Sequence, residues 1–216
     1  MDKNLELIKS EINNLNILTK MDNTDEVIKR SIILTKKYPN IPIFFNILGS
    51  SLEKKNKIYD AEIIYKKSIE IDPKNIFALV NLARITRLIN DLQKSEELLK
   101  KVLEIEPENL FAHLNYAELK IEQNNFKEAI SIFEKIYKKN NDFQNVIMRL
   151  ANTYSIIGEF KKAEEYLSLN LKKKPELFAA DYRLSNIINY SERKDHQKLI
   201  LEKIKNKKFD KLNKHL

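Results

Sequence analysis

The chain is 216 residues long, 43% hydrophobic and 32% charged, with two glycines, five prolines and no cysteine. That composition excludes disulfides, thiolate metal sites and cysteine nucleophiles, and two glycines cannot build a phosphate-cradling loop or a dinucleotide fingerprint. The net charge of +8 gathers at the C-terminal end, where nine Lys or Arg face four acids from Ser191 to Leu216, so the remainder is close to balanced. The opening stretch MDKNLELIKSEINNLNILTK is charged throughout, with no unbroken apolar segment of the secretory kind. No run approaches the roughly 18 apolar residues that would span a bilayer. The expectation is a cytoplasmic protein with no membrane partner.

Taken in chain order, Leu5, Ile8, Ile12, Leu15 and Leu18 fall at helical spacing and predict a helix over 4–20. Thr24 is placed to cap a second helix, with Asp25 and Glu26 in its first turn and Lys36 and Lys37 at its end. Pro39 and Pro42 close this first, divergent pair. From there a fixed step takes over. Pro39, Pro73 and Pro107 are each 34 residues apart, and Pro175 lies two further steps on. A constant period of this length marks stacked two-helix units.

The columns repeat at the same step. Gly49, Ala83, Ala117, Ala151 and Ser185 form one small-residue column, and Ala61, Ser95, Ala129 and Ala163 form a second. Bulky residues surround them: Leu48, Leu82, Tyr116, Leu150 and Leu184 precede the first, while Tyr65, Leu99, Phe133 and Leu167 follow the second. Ile58, Leu92, Phe126 and Phe160 open each second helix. Between the helices of each unit stand Asn56, Asn90, Asn124 and Gly158, residue types that take a left-handed conformation at low cost. This order of apolar, small, bulky, small, aromatic and proline positions resembles the tetratricopeptide repeat family. The family's tryptophan position holds Phe45, Leu79, His113 and Ile147 here.

The resemblance implies an all-α solenoid of five to six antiparallel helix pairs in a right-handed superhelix, with eleven or twelve helices. Its repeats are expected at 4–41, 42–75, 76–109, 110–143 and 144–177, with a partial one at 178–190. After Pro175, Phe178–Tyr190 reads as a last first helix. Residues 191–216 are expected to be a basic tail, with a capping helix at 195–206 whose apolar side carries Leu199, Ile200, Leu201 and Ile204.

Enzymatic machinery is missing from the sequence, and no cofactor or metal is expected. His113, His196 and His215 are scattered, and His113 occupies a core column. Glu96 and Glu97 read as solvated charges on an outer face. Binding is the activity that the resemblance implies, through the concave groove formed by the first helices. The groove positions are Asn81, Asn115, Arg149 and Arg183, with Arg84, Asn152 and Asn186 one turn further on. Asparagine can engage a peptide backbone as donor and acceptor, and arginine can grip a carboxylate. The expected partner is therefore a protein or peptide with acidic residues toward Arg149 and Arg183. A two-carboxylate clamp of the kind some family members use matches only at Asn115 and Arg149, because Val80 and Asn145 stand where it needs lysines and Arg84 where it needs an asparagine.

Two rival readings exist. The segment NYSERKDHQKLILEKIKN resembles the junction of bacterial proteins in which such repeats precede a sulfotransferase or glycosyltransferase domain. The chain is then the substrate-binding front, or a truncated relative, of such an enzyme. Nucleic-acid binding by the basic tail is disfavoured, since no aromatic platform or recognition helix accompanies it.

Overall fold

A computed structural model describes residues 3–139, 144–173, 178–188 and 194–205. Among these, every regular element is a helix. The first six are α1 (Lys3–Lys20), α2 (Thr24–Lys37), α3 (Pro42–Lys54), α4 (Ile58–Ile71), α5 (Ile76–Leu88) and α6 (Leu92–Ile105). They are followed by α7 (Leu110–Glu122), α8 (Phe126–Lys139), α9 (Gln144–Ile156), α10 (Phe160–Lys173), α11 (Phe178–Ser185) and α12 (Lys194–Lys205). None of the described helices is long and apolar enough to cross a membrane. The helices form two compact units, Met1–Gln123 and Asn124–Leu216, which part inside the expected repeat 110–143.

In the first unit, consecutive helices pack in pairs and each pair packs on the next. The α1–α2 pair closes over Leu15, Val27 and Leu34, which share a cluster with Phe44 of α3. The main cluster runs from Leu48 and Tyr65 through Leu79, Leu82 and Ile85 to Leu99, Val102 and Leu119. Crossing distance is set by the small columns. A side chain built on Gly49 would meet the Tyr65 ring at 2.7 Å, so α3 and α4 touch where only glycine fits. At the α5–α6 crossing the Ser95 hydroxyl donates to the Ala83 carbonyl at 2.8 Å. The two columns thus meet across the pair.

Helix ends follow local chemistry. Pro42 opens α3, where its missing N–H costs nothing. Asn75 and Asn109, one repeat apart, cap α5 and α7 by accepting the Ala78 and Ala112 N–H groups at 3.1 and 2.9 Å. Asn75 also joins a polar knot: Ser68 donates to the side-chain oxygen of Asn46 at 2.7 Å, and Asn46 Nδ2 donates to Asn75 Oδ1 at 3.2 Å. The cap of α2 is Asn23, which accepts the Glu26 N–H, and not Thr24, which is the buried first residue of the helix. The left-handed turns expected at Asn56, Asn90, Asn124 and Gly158 have φ of 57°, 66°, 59° and 79°. A fifth residue, Asp22 at 59°, stands one repeat before Asn56 and gives the divergent first pair the same turn.

In the second unit, α9 and α10 pair, and α11 closes over Ala151, Leu167, Leu171, Ala180 and Leu184. The helix expected over Phe178–Tyr190 ends at Ser185. There the Asn186 and Ile187 N–H groups reach back three residues, to Arg183 and Leu184, at 3.1 Å each. The backbone tightens into a turn, and the Ser185 hydroxyl takes the Asp181 carbonyl at 2.7 Å. The capping helix expected at 195–206 is α12, but Leu199 and Leu201 are exposed and only Ile200 of the described stripe is half-buried. Pro175, His215 and most of the basic tail lie outside the described residues.

Alanine is favoured over glycine inside a helix by up to about 1 kcal/mol, yet Gly49→Ala should destabilise the protein by about 1–3 kcal/mol through overpacking on Tyr65. Urea denaturation of Gly49→Ala, Tyr65→Leu and the double variant measures this. The double variant should recover part of the loss; two purely additive effects would mean that the crossing is not the constraint.

Candidate functional site

The first helices of the pairs carry their small residues inward, and the opposite face is the one left open. A residue two positions away lies about 200° around the helix. Asn81 and Asn115 precede Ala83 and Ala117 by two, and Arg149 and Arg183 precede Ala151 and Ser185 by two. Asn81, Asn115, Arg149 and Arg183 therefore lie on the side of their helices away from the small column, while Arg84 and Asn152 sit a quarter turn past it and Asn186 follows the end of α11.

In the first unit, Asn81 Nδ2 donates to the Phe77 carbonyl at 2.8 Å, and Asn115 Nδ2 donates to the Phe111 carbonyl at 2.8 Å. The same bond recurs one repeat apart and fixes both amides in one orientation. The residues one turn earlier are apolar and open: Ile43, Phe77 and Phe111, each 34 residues apart, are 38%, 48% and 64% exposed. The sequence reading missed this column, although the repeat step alone would have found it.

Arg84 is not a free cation. It is ion-paired with Glu53 of α3, and Arg87 is ion-paired with Glu122 of α7. These bridges join neighbouring first helices and neutralise both guanidiniums. Val80, at a position where a carboxylate clamp needs a cation, is buried. The first unit thus presents amides and aromatic rings, with its arginines already held by acids.

The second unit differs. Arg183 on α11 donates from Nη1 to the side-chain oxygen of Asn152 on α9, which brings two of the expected residues into contact. Arg183 and Asn186 are exposed, while Arg149 and Asn152 are half-buried. Among the described residues Arg183 pairs with no acid. A neutral amide orients its guanidinium without cancelling the charge.

The outer-face acids divide. Glu97 is exposed and, among the described residues, forms its one ion pair with its helix neighbour Lys94 at 3.0 Å. Glu96 is the centre of a network and corrects the expectation of a solvated charge. It accepts from Gln123 at 2.9 Å, Lys100 at 2.9 Å, Tyr116 at 3.2 Å and Lys120 at 3.3 Å. The bonds from Gln123 and Lys100, helped by Lys120, hold its pKa down to about 2 against burial. A cavity of about 430 Å³ beside it is lined by Gln93, Glu96, Glu97, Lys100 and Gln123. The donors there are spent on Glu96, which fits a joint between α6 and α7 better than a ligand site. His113 is half-buried and its Nε2 donates to the Pro107 carbonyl at 2.8 Å, a satisfied structural imidazole.

Because the folded-state pKa of Glu96 lies below its ordinary value of 4.5, its ionised form stabilises the fold. That contribution is complete above about pH 5 and is lost as pH falls toward 2. Glu96→Gln should lower stability at pH 7 and flatten the fall in unfolding free energy across that window. An unchanged acid limb, measured by urea titration at several pH values, would show that the network carries no linkage.

Comparison with known proteins agrees with the fold. Tetratricopeptide repeat models match residues 44–75, and residues 90–134 with 120–183. No curated protein sequence matches the chain. Among solved structures, a tetratricopeptide repeat protein of Parabacteroides merdae is 17% identical with a TM-score of 0.71, over 90% of this chain and 77% of that one. PilF of Pseudomonas aeruginosa is 16% identical with a TM-score of 0.73, over 90% of this chain and 89% of its own. YrrB, described as a TPR protein with an unusual peptide-binding site, is 14% identical with a TM-score of 0.62, over 83% and 96%. The family matches stay within the repeats and lend no support to the sulfotransferase junction.

Proposed function

The chain belongs to the tetratricopeptide repeat family, and from that membership we propose that it is a non-catalytic scaffold that binds a protein or peptide along the open faces of its first helices. Repeats of this family generally mediate protein or peptide binding. YrrB is described by its peptide site, and the present reading extends that mode of action to this chain. The binding residues are Asn81, Arg84 and Asn115 in the first unit and Arg149, Asn152, Arg183 and Asn186 in the second. Arg84 acts through its bridge to Glu53, and the others meet the ligand.

One observation supports this reading above the rest. Arg183 is held by Asn152 and pairs with no acid among the described residues. An oriented, uncancelled guanidinium at the surface suits a carboxylate, to which it can offer two parallel bonds. Acidic ligand residues are therefore expected at the second unit, toward Arg149 and Arg183. Hydrogen bonds to charged groups contribute about 1.5–3 kcal/mol each.

The test is to identify a partner by affinity capture and mass spectrometry, then to titrate it against variants. Arg149→Glu with Arg183→Glu should weaken binding at least about a hundredfold. Neutralising Lys205, Lys207, Lys208 and Lys211 should change only the salt dependence. Normal binding by the arginine variant together with loss in the lysine variant would move the site to the basic tail.

A further inference from the structure

We propose that the α5–α7 face of the first unit is a subsite for a bulky apolar side chain of an extended peptide, packed on Phe77 and Phe111 while Asn81 and Asn115 bond the peptide backbone. This rests on the peptide-binding reading above and names what this face selects, which is an uncharged, apolar segment.

The apolar column is the first support. A helix face turned to solvent is ordinarily polar, yet Phe77 and Phe111 hold rings 48% and 64% exposed at the same repeat position, with Ile43 completing the line. Phe77 rests partly on the core, its ring centroid 6.3 Å from that of Tyr65, while the α5–α6 crossing itself is closed by Ser95 and Ala83. Aromatic rings give a large contact area with few torsions to immobilise on binding.

The amides are the second support. Each asparagine gives one N–H to the carbonyl of the phenylalanine one turn earlier. Its oxygen and second N–H have no other partner among the described residues. A peptide group needs one acceptor and one donor, and each amide offers that pair in an orientation the helix has already fixed. Ring and amide stand four residues apart, on the same side of the helix. A side chain on the ring thus brings its own backbone to the amide.

Charge complementarity decides the class of ligand. Both arginines of this face are neutralised, Arg84 by Glu53 and Arg87 by Glu122, and the side chains of Arg87 and Glu53 are nearly buried. An acidic ligand would have to displace Glu53 or Glu122 and leave a partly desolvated carboxylate unpaired, which is costly. A basic ligand would face the same cost with the signs reversed. A neutral apolar segment disturbs neither bridge.

The probe is an array of end-blocked nine-residue peptides on a Ser/Gly background, each carrying Leu, Phe, Glu or Lys at its central positions, presented to the full chain. The Leu and Phe peptides should be retained, and Phe77→Ser with Phe111→Ser should weaken them at least about tenfold. Asn81→Ala with Asn115→Ala should weaken them too, and N-methylation of the central amides should weaken wild-type binding while adding little to that variant. Glu97→Gln, on the exposed side of α6, should leave them unchanged. Circular dichroism checks folding, and Phe111→Ser alone, at the more exposed ring, serves if the double variant melts early. Undiminished Leu and Phe binding in the folded phenylalanine variants overturns the proposal. Selection of Glu peptides alone, abolished by the arginine variant, overturns it while the peptide-binding reading stands. A wild-type dimer that Phe111→Ser dissociates, with no peptide retained, assigns the face to a second copy of the chain and overturns it. Retention of no peptide class, without a dimer, overturns the proposal, and the peptide-binding reading is then decided by the captured partner and the arginine variant.

Discussion

The close approach of the two helices in a pair is the constraint on which the rest of this structure depends. Helices of 13 or 14 residues, such as α3 and α4, are marginal alone in water and gain their stability from what they bury. The burial here is tight enough that Gly49 has the Tyr65 ring where its side chain would be, and that Ser95 reaches the backbone of Ala83. A crossing that close permits only small residues at its centre and drives bulky ones, such as Leu48, Leu82 and Leu99, to its flanks. It also sets the roll of each first helix. With Ala83 turned inward, Asn81 is turned outward by geometry alone, and the open face follows from the packing.

This explains why the fold was so legible in the sequence. A column of small residues every 34 positions records a backbone-to-backbone distance, and few other arrangements would keep it. The left-handed turns were legible for the same reason, because Asn56, Asn90, Asn124 and Gly158 are drawn from the few residue types that tolerate positive φ. What escaped was local and not periodic. Asp22 obeys the repeat step but carries a residue type less tied to that turn, and Asn23 takes the cap that Thr24 could equally have taken by composition. The early end of α11 depends on a backbone choice at Asn186 and Ile187 that no side-chain pattern marks.

The candidate site was only half legible, and the reason is physical. Which face is open follows from position within a repeat, so Asn81, Asn115, Arg149 and Arg183 could be placed from their columns. Whether a charge on that face is available depends on its neighbour in the next helix, and that pairing crosses between repeats with no fixed offset. Arg84 reaches back 31 residues to Glu53, whereas Arg87 reaches forward 35 to Glu122. A column holds one residue per repeat and cannot show a bridge that changes column on the way. Glu96 escaped for the same reason, its partners Gln123, Tyr116 and Lys120 lying on or just after the following helix.

The two units consequently put different chemistry on equivalent positions. Asparagine at positions 81 and 115 becomes arginine at 149 and 183, and the acids that cancel Arg84 and Arg87 have no counterpart beside Arg183 among the described residues. In the first unit, charge is consumed in holding neighbouring helices together, so the open face there presents apolar rings and amides. In the second, the contact between α9 and α11 uses a neutral acceptor, Asn152, and keeps the cation for the surface, where its attraction for an anion is screened as ionic strength rises. The choice of partner that ties one first helix to the next, carboxylate or amide, therefore decides whether that stretch of surface carries an uncancelled charge. A single exchange at the bridging position, acid for amide, could move a repeat from one behaviour to the other without touching the small-residue columns that hold its helices together.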